Sequence, residues 1–266
     1  MDPIGVFDSG VGGLTVVAAL RRRLPHESIL YLGDTARLPY GSKSPETVTR
    51  YTRRNIEFLV ERGVKAVVVA CNTASALALE HVHLEVGMPL WGVIEPGARR
   101  AAEVSRGRVG VIATEATVRS DAYPRALRRL RPDLAVVSRA CPLFVPLVEE
   151  GWHDDDEVTT RIAERYLAPL LEAEIDTLVL GCTHYPLLKA VLARVAGPAV
   201  TLVDSAEAVA EVVAQGLAEA GLARADSSPG LATQHLCVTD GGESFKLVAG
   251  RILGDPDLPL EWVEVV

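Results

Sequence analysis

The chain has 266 residues, 48% hydrophobic and 23% charged, the balance of a globular protein long enough for one large α/β domain or two smaller lobes. Its formal net charge of −8 argues against a nucleic-acid surface, which needs a basic face, and no apolar run approaches the ~18 residues of a membrane span. The start, Met1-Asp2-Pro3, has neither the basic nor the apolar segment of a secretory signal, so the expected location is cytoplasmic.

Short β-branched runs alternate with amphipathic stretches along the chain, the pattern of α/β architecture with mostly parallel sheets. Strands are expected at Ile4–Asp8, Ile29–Gly33, Ala66–Ala70, Leu90–Ile94, Val109–Ala113, Ala135–Arg139, Thr177–Gly181, Val200–Asp204 and Gln234–Val238. Helices are expected at Leu14–Arg23, Glu46–Arg62, Ala74–Val86, Arg119–Arg129, Pro186–Val195 and Ala206–Leu217. Val158, Ile162, Tyr166 and Leu170 add a helical stripe, which Pro169 should kink or interrupt. The arginines at 21–23 and within 125–131 fall on helices and read as solvated faces. Ala223–Thr233 reads as a surface loop.

One pattern repeats. Lys65-Ala-Val-Val-Val-Ala-Cys71-Asn-Thr73 resembles Asp176-Thr-Leu-Val-Leu-Gly-Cys182-Thr-His184, the cysteines lying 111 positions apart. Ile4-Gly5-Val6-Phe7 echoes Val109-Gly110-Val111-Ile112 at an offset of 105. Two matches at nearly one offset predict two similar doubly wound lobes related by a pseudo-two-fold axis. Ligands of open α/β sheets bind beyond the carboxyl ends of the strands, so Cys71 and Cys182 are expected to line one inter-lobe cleft.

None of the four cysteines forms a C-x-x-C pair, and in a reducing compartment all should be free thiols. Cys141 and Cys237 read as structural. Cys71 and Cys182 each end a strand ahead of a helix, where a helix amino terminus favours the thiolate. Two such groups suit exchange of a proton at a stereocentre: one removes it from one face while the other delivers to the opposite face. Asp8-Ser9-Gly10 with Gly12-Gly13 ends the first strand in a turn whose N–H groups could serve a carboxylate, although Asp8 could equally be a plain helix cap. It matches neither phosphate-loop nor dinucleotide spacing. His184 could poise Cys182 or protonate a carboxylate. Cys182 and His184 lack the further ligands of a zinc site, so no metal is expected. Lys43, Lys65, Lys189 and Lys246 lie in no recognisable Schiff-base motif, so no cofactor is expected.

The stretches GVFDSGVGGLTV (5–16), DTARLPYGSKS (34–44), ACNTASA (70–76), GVIEPGA (92–98), CPLFVPLVEEG (141–151) and LGCTHYPLL (180–188) resemble those of bacterial glutamate racemases, within the aspartate/glutamate racemase superfamily. They run in family order up to about residue 205. The resemblance implies interconversion of L- and D-glutamate, supplying D-glutamate for peptidoglycan. It implies that Cys71 takes the α-proton from D-glutamate and Cys182 from L-glutamate. Asp8 would assist near Cys71 and His184 near Cys182, the latter supported by Glu149, with Glu150 adjacent and the choice open by one residue. Asp8, Ser9, Tyr40, Gly41, Asn72, Thr73, Thr183 and His184 match substrate-binding positions; Thr114 and Thr117 are further candidates that could instead cap a helix. A first lobe of residues 1–97 plus 207–266, a second of 98–206, and a homodimer are also implied. The rival readings are a racemase of aspartate or another acidic amino acid, a non-catalytic small-ligand binding protein and a thiol redox protein. The distant, unlike settings of the two cysteines count against the last.

Overall fold

The structure is a computed structural model and describes residues 2–83, 87–152, 156–224, 232–255 and 259–265. Its strands are β1 (Ile4–Asp8), β2 (Ile29–Gly33), β3 (Ala66–Val69), β4 (Leu90–Gly92), β5 (Arg108–Ala113), β6 (Ala135–Ala140), β7 (Thr177–Gly181), β8 (Thr201–Asp204), β9 (Gln234–Val238) and β10 (Leu260–Trp262). The helices are α1 (Leu14–Arg23), α2 (Pro45–Glu61), α3 (Asn72–Leu77), α4 (Leu79–Val82), α5 (Ile94–Val104), α6 (Glu115–Arg119), α7 (Ala122–Leu130), α8 (Phe144–Glu149), α9 (Glu157–Glu172), α10 (Lys189–Ala196), α11 (Ser205–Glu219) and α12 (Glu243–Leu253).

The strands form two sheets, ordered β10-β9-β2-β1-β3-β4 and β6-β5-β7-β8, and every pairing is parallel. The sequence echo has a topological counterpart: β2-β1-β3-β4 of the first sheet repeats as β6-β5-β7-β8 of the second. β1 thus corresponds to β5, and β3, which leads to Cys71, corresponds to β7, which leads to Cys182.

Both central strands are buried on two faces, as parallel sheets require. In the first sheet Ile4, Val6, Ala66 and Val68 pack under α1, α11 and α12. The alternate residues Phe7, Val67 and Val69 pack under α2 and α3. In the second, Leu178 and Leu180 pack with α8, α9 and α10, while Val109, Val111 and Val179 pack with α5 and α7. The two-residue period of the strands produces this division. At about 25 cal/mol per Å² of apolar surface removed from water, such burial is the main term holding each sheet to its helices.

Local differences from the sequence reading have local causes. The helix expected at Ala74–Val86 begins at Asn72 and breaks at Ala78 into α3 and α4; positions 84–86 lie outside the described residues. Ser75 ties α3 to the strand ends, its hydroxyl donating to Val69 O and accepting from Val93 N–H. The helix expected at Arg119–Arg129 starts earlier and divides at Asp121, whose φ of 55° ends α6 before α7 begins. Pro169 does not interrupt α9, which continues to Glu172; its missing N–H removes the one bond to Arg165 O, and only three helical residues follow it. Of the loop expected at Ala223–Thr233, residues 225–231 lie outside the described residues.

The boundaries implied at 97/98 and 206/207 fall inside α5 and α11. Because α5 packs on the second sheet and α11 largely on the first, we propose that the lobes divide just ahead of these two helices.

Candidate active site

The site lies where both sheets point their carboxyl ends. Asp8 closes β1, Cys71 follows β3, Thr114 follows β5 and Cys182 follows β7. Between them is a cavity of about 330 Å³ that Cys71 and Cys182 both line. Ser9, Tyr40, Gly41, Asn72 and Thr73 form the first-lobe wall, and Thr114, Glu149, Thr183 and His184 the second. A larger cavity of about 430 Å³ opens beyond Leu38 and Glu149. None of the described residues that line it is a cysteine or a histidine, so the chemistry belongs to the smaller one.

The two thiols have unlike surroundings. Cys71 caps α3 and sits 3.8 Å from Ser9 Oγ. Burial pushes its pKa well above the ordinary thiol value, and the charge of Asp8 adds to this; the Ala74 N–H and Ser9 work the other way and are outweighed. The helix amino terminus alone therefore does not make Cys71 a thiolate, and burial decides a protonation that the sequence left open. Cys182 is followed by a single 3₁₀ turn over Tyr185–Leu188, with α10 starting only at Lys189. Its partner is an imidazole instead of a helix end, with His184 Nδ1 3.9 Å from the sulfur. Burial pulls the His184 pKa down, but the Cys182 sulfur and Glu149, aided by the charge of Asp8, outweigh it and raise the value from 6.5 to about 10. Glu149 Oε1 stands 3.3 Å from His184 Nε2, at ion-pair distance but outside hydrogen-bond alignment. Glu149, and not Glu150, is the carboxylate at this position.

Asp8 lies behind the cavity, fully buried. Its Oδ2 accepts the N–H groups of Gly10 and Gly13, and Oδ1 accepts the Thr183 hydroxyl at 3.4 Å. The carboxylate held by these two N–H groups is thus Asp8's own, which removes them from the anion site the sequence suggested. Gly12 abuts the other lobe: a Cβ there would lie 2.5 Å from His184 Nδ1 and from Thr183 Oγ1.

Hydroxyls join the lobes on the opposite side. Thr73 and Thr114 are 3.0 Å apart, as are Thr114 and Thr117. Thr114 also caps α6 by accepting from Thr117 N–H, so capping and lining coexist in it, while Thr117 stands behind the wall. The Tyr40 hydroxyl donates to Asp34 and accepts from Asn55, so only the rest of Tyr40 is available to the cavity. Leu38, Glu115, Pro142, Val145 and Pro146 also line it. Their sequence signal was adjacency to motif residues.

Among the described residues, one cluster outside the cavity has metal-donor composition: His235, Cys237 and Glu261, with donor atoms within 4.8 Å of one another. Arg62 already engages Glu261 through two nitrogens, at 3.0 and 3.4 Å, and His235 bonds it as well. That carboxylate is therefore neutralised without a metal. No helix among the described residues is long and apolar enough to cross a membrane.

Residues 14–213 match the family described as Asp/Glu/Hydantoin racemase. The chain is 57% identical to a glutamate racemase of Geobacter metallireducens, over 94% of this chain and 92% of that protein. Among solved structures, it is similar to a glutamate racemase isoform of Bacillus anthracis, with TM-score 0.93, 40% identity and coverage of 99% of this chain and 98% of the other. It is also similar to a Francisella tularensis glutamate racemase solved in complex with D-glutamate, with TM-score 0.91, 36% identity and coverage of 99% and 98%.

Proposed function

The chain belongs to the Asp/Glu/Hydantoin racemase family, and on that premise we propose a glutamate racemase that works through two thiols. It interconverts L- and D-glutamate, as the names of its relatives state for them, and so supplies D-glutamate for peptidoglycan. The observation that carries the two-thiol assignment is that Cys71 and Cys182, from topologically equivalent strands of different sheets, open into one cavity.

For L-glutamate, the Cys182 thiolate takes the α-proton and becomes a thiol. The electron pair left on the α-carbon delocalises into the carboxylate, and the Cys71 thiol delivers its proton to the opposite face, becoming the thiolate. D-glutamate runs the same steps in reverse. His184 holds positive charge beside Cys182, with Glu149 behind it. Asp8 helps hold the proton on Cys71 and fixes the glycine turn. Ser9, Asn72, Thr73, Thr114 and Thr183 supply hydroxyl and amide groups to the substrate's carboxylates and ammonium, and Gly41 leaves room beside them. Thr117 supports Thr114. The reading uses no cofactor or metal, places the enzyme in the cytoplasm, and includes a homodimer, which light scattering in solution tests.

Enantiopure L-glutamate in deuterated water provides the decisive test. The α-proton signal should disappear without added cofactor as optical activity decays to zero; glutamate recovered undeuterated would end the racemase reading in favour of a binding protein. The same assay on aspartate should run far slower, although one methylene in a pocket is worth only ~1–3 kcal/mol.

A further inference from the structure

Asn72 and Tyr123 come from different lobes and meet behind the cavity. Tyr123, on α7, is 1% exposed, and its hydroxyl donates to Asn72 Oδ1 at 2.7 Å. The other end of that amide, Nδ2, is buried without a partner, although Asn72 lines the cavity. A primary amide can turn over and present either its oxygen or its nitrogen to a ligand. The phenol removes that choice.

The phenol is packed from behind. Ser205, the first residue of α11, lies beside it and favours the phenolate, an effect that burial outweighs. Gly97 makes the meeting sterically feasible: a Cβ there would fall 3.2 Å from the Tyr123 hydroxyl and 3.3 Å from Ser205 Cβ. With the phenol proton directed at Asn72 Oδ1, the Asn72 N–H bonds are left unspent. Burial keeps Tyr123 protonated, and hence a donor.

We propose that Tyr123 is a positioning residue: by donating to Asn72 Oδ1 it fixes the amide with Nδ2 as a donor to a carboxylate of bound glutamate. The proposal rests on the racemase reading and adds a residue that does not itself touch the substrate. An amide turned the other way would set its oxygen against the carboxylate and repel it. A donor to an unreacting carboxylate serves ground state and transition state alike, so its loss moves KM more than kcat.

Steady-state kinetics in both directions on Tyr123→Phe, Asn72→Ala and the double variant test this. Tyr123→Phe should raise KM for both enantiomers by about tenfold, the equivalent of one hydrogen bond, with kcat changed by less than about threefold. Asn72→Ala should raise KM at least as much, and adding Tyr123→Phe to it should change nothing further. Enantiomers have equal free energy, so kcat/KM must stay equal in the two directions, an internal check on each data set. A wild-type KM in Tyr123→Phe, or additive effects in the double variant, would overturn the positioning role while leaving the racemase reading intact. A wild-type protein that exchanges no α-proton would overturn both. If Tyr123→Phe fails to fold by thermal melting, Gly97→Ala crowds the same phenol; it must then raise KM and lose that effect in the Asn72→Ala background, or the proposal fails.

Discussion

His184 holds Nδ1 3.9 Å from the sulfur of Cys182, and this pairing makes the two sides of the cavity unequal. Cys71 has a serine hydroxyl in the comparable place, and burial with the charge of Asp8 keeps its proton on. On the proposed assignment the Cys71 side is fitted to deliver a proton, and the Cys182 side, with the imidazole beside it, is the one that works on L-glutamate.

Removing one thiol at a time exposes the inequality. Cys71→Ala should lower racemisation by at least ~10³-fold, within the range for losing a positioned proton donor. It should still exchange the α-proton of L-glutamate slowly with retention, because Cys182 and His184 can take a proton and return a deuteron to the same face. Cys182→Ala should lose both activities towards L-glutamate. Proton NMR in deuterated water combined with polarimetry separates the outcomes, and equal exchange by the two variants would show that the flanking groups do not set the roles.

The imidazole also carries a pH signature. Its folded-state pKa is raised from 6.5 to about 10, so the folded protein holds this proton more tightly than the unfolded chain. The associated stabilisation is complete below about pH 6.5 and is lost as pH rises through about 10. Wild-type Tm should therefore fall across that window more steeply than that of His184→Asn, and kcat from L-glutamate should drop ~10²-fold or more in the variant. Parallel melting profiles for the two proteins would contradict a charged imidazole at Cys182.

Much of this was legible in the sequence, for identifiable reasons. The five-residue runs of β1, β2 and β7 have apolar centres and end on aspartate or glycine, and their limits match the structure residue for residue. Both cysteines stood out because the same strand pattern precedes each. Elements that break the periodic rules were not legible: α5 contains Pro96-Gly97 and α8 contains Pro146, and both are short stretches stabilised by the cores they cover. Because α8 was invisible, the choice between Glu149 and Glu150 stayed open until helix geometry placed one of them beside His184. The Tyr123–Asn72 bond joins residues 51 positions apart with no motif linking them, so only the packing of the lobes brings it out.

Tyr40 separates wall from ligand-binding group. Its hydroxyl is committed to the buried Asp34, which also binds Arg37 with two bonds of 2.8 Å and accepts from Thr239 at 3.2 Å. Tyr40→Phe should cost about 1–2 kcal/mol of stability for a lost hydrogen bond to a buried carboxylate, a Tm decrease of several degrees in a chain of this size. KM for glutamate should stay within about twofold of wild type, since a change of that size is well under 1 kcal/mol. A large KM increase at unchanged Tm would mean that the hydroxyl reaches the substrate.

Gly12 is where the turn of the first lobe meets the chemistry of the second. A methyl group there would lie 2.5 Å from both His184 Nδ1 and Thr183 Oγ1, a separation no real contact sustains, so one side must give way. The turn is the stiffer side: Asp8 holds the N–H groups of Gly10 and Gly13, and the Tyr31 hydroxyl binds Gly10 O at 2.5 Å. Displacement therefore falls on Thr183 and His184, the residues next to the reacting sulfur. Overpacking of this kind costs ~1–3 kcal/mol, leaving Gly12→Ala folded, whereas a misplacement of about 1 Å in a catalytic group can cost ~10²-fold in rate. Gly12→Ala should accordingly lower kcat far more than Tm, with the larger loss in the direction starting from L-glutamate only if proton transfer to Cys182 limits that direction. Near-normal kcat in a folded Gly12→Ala protein would mean that the Cys182 side tolerates displacement, and the role given to His184 would not survive it.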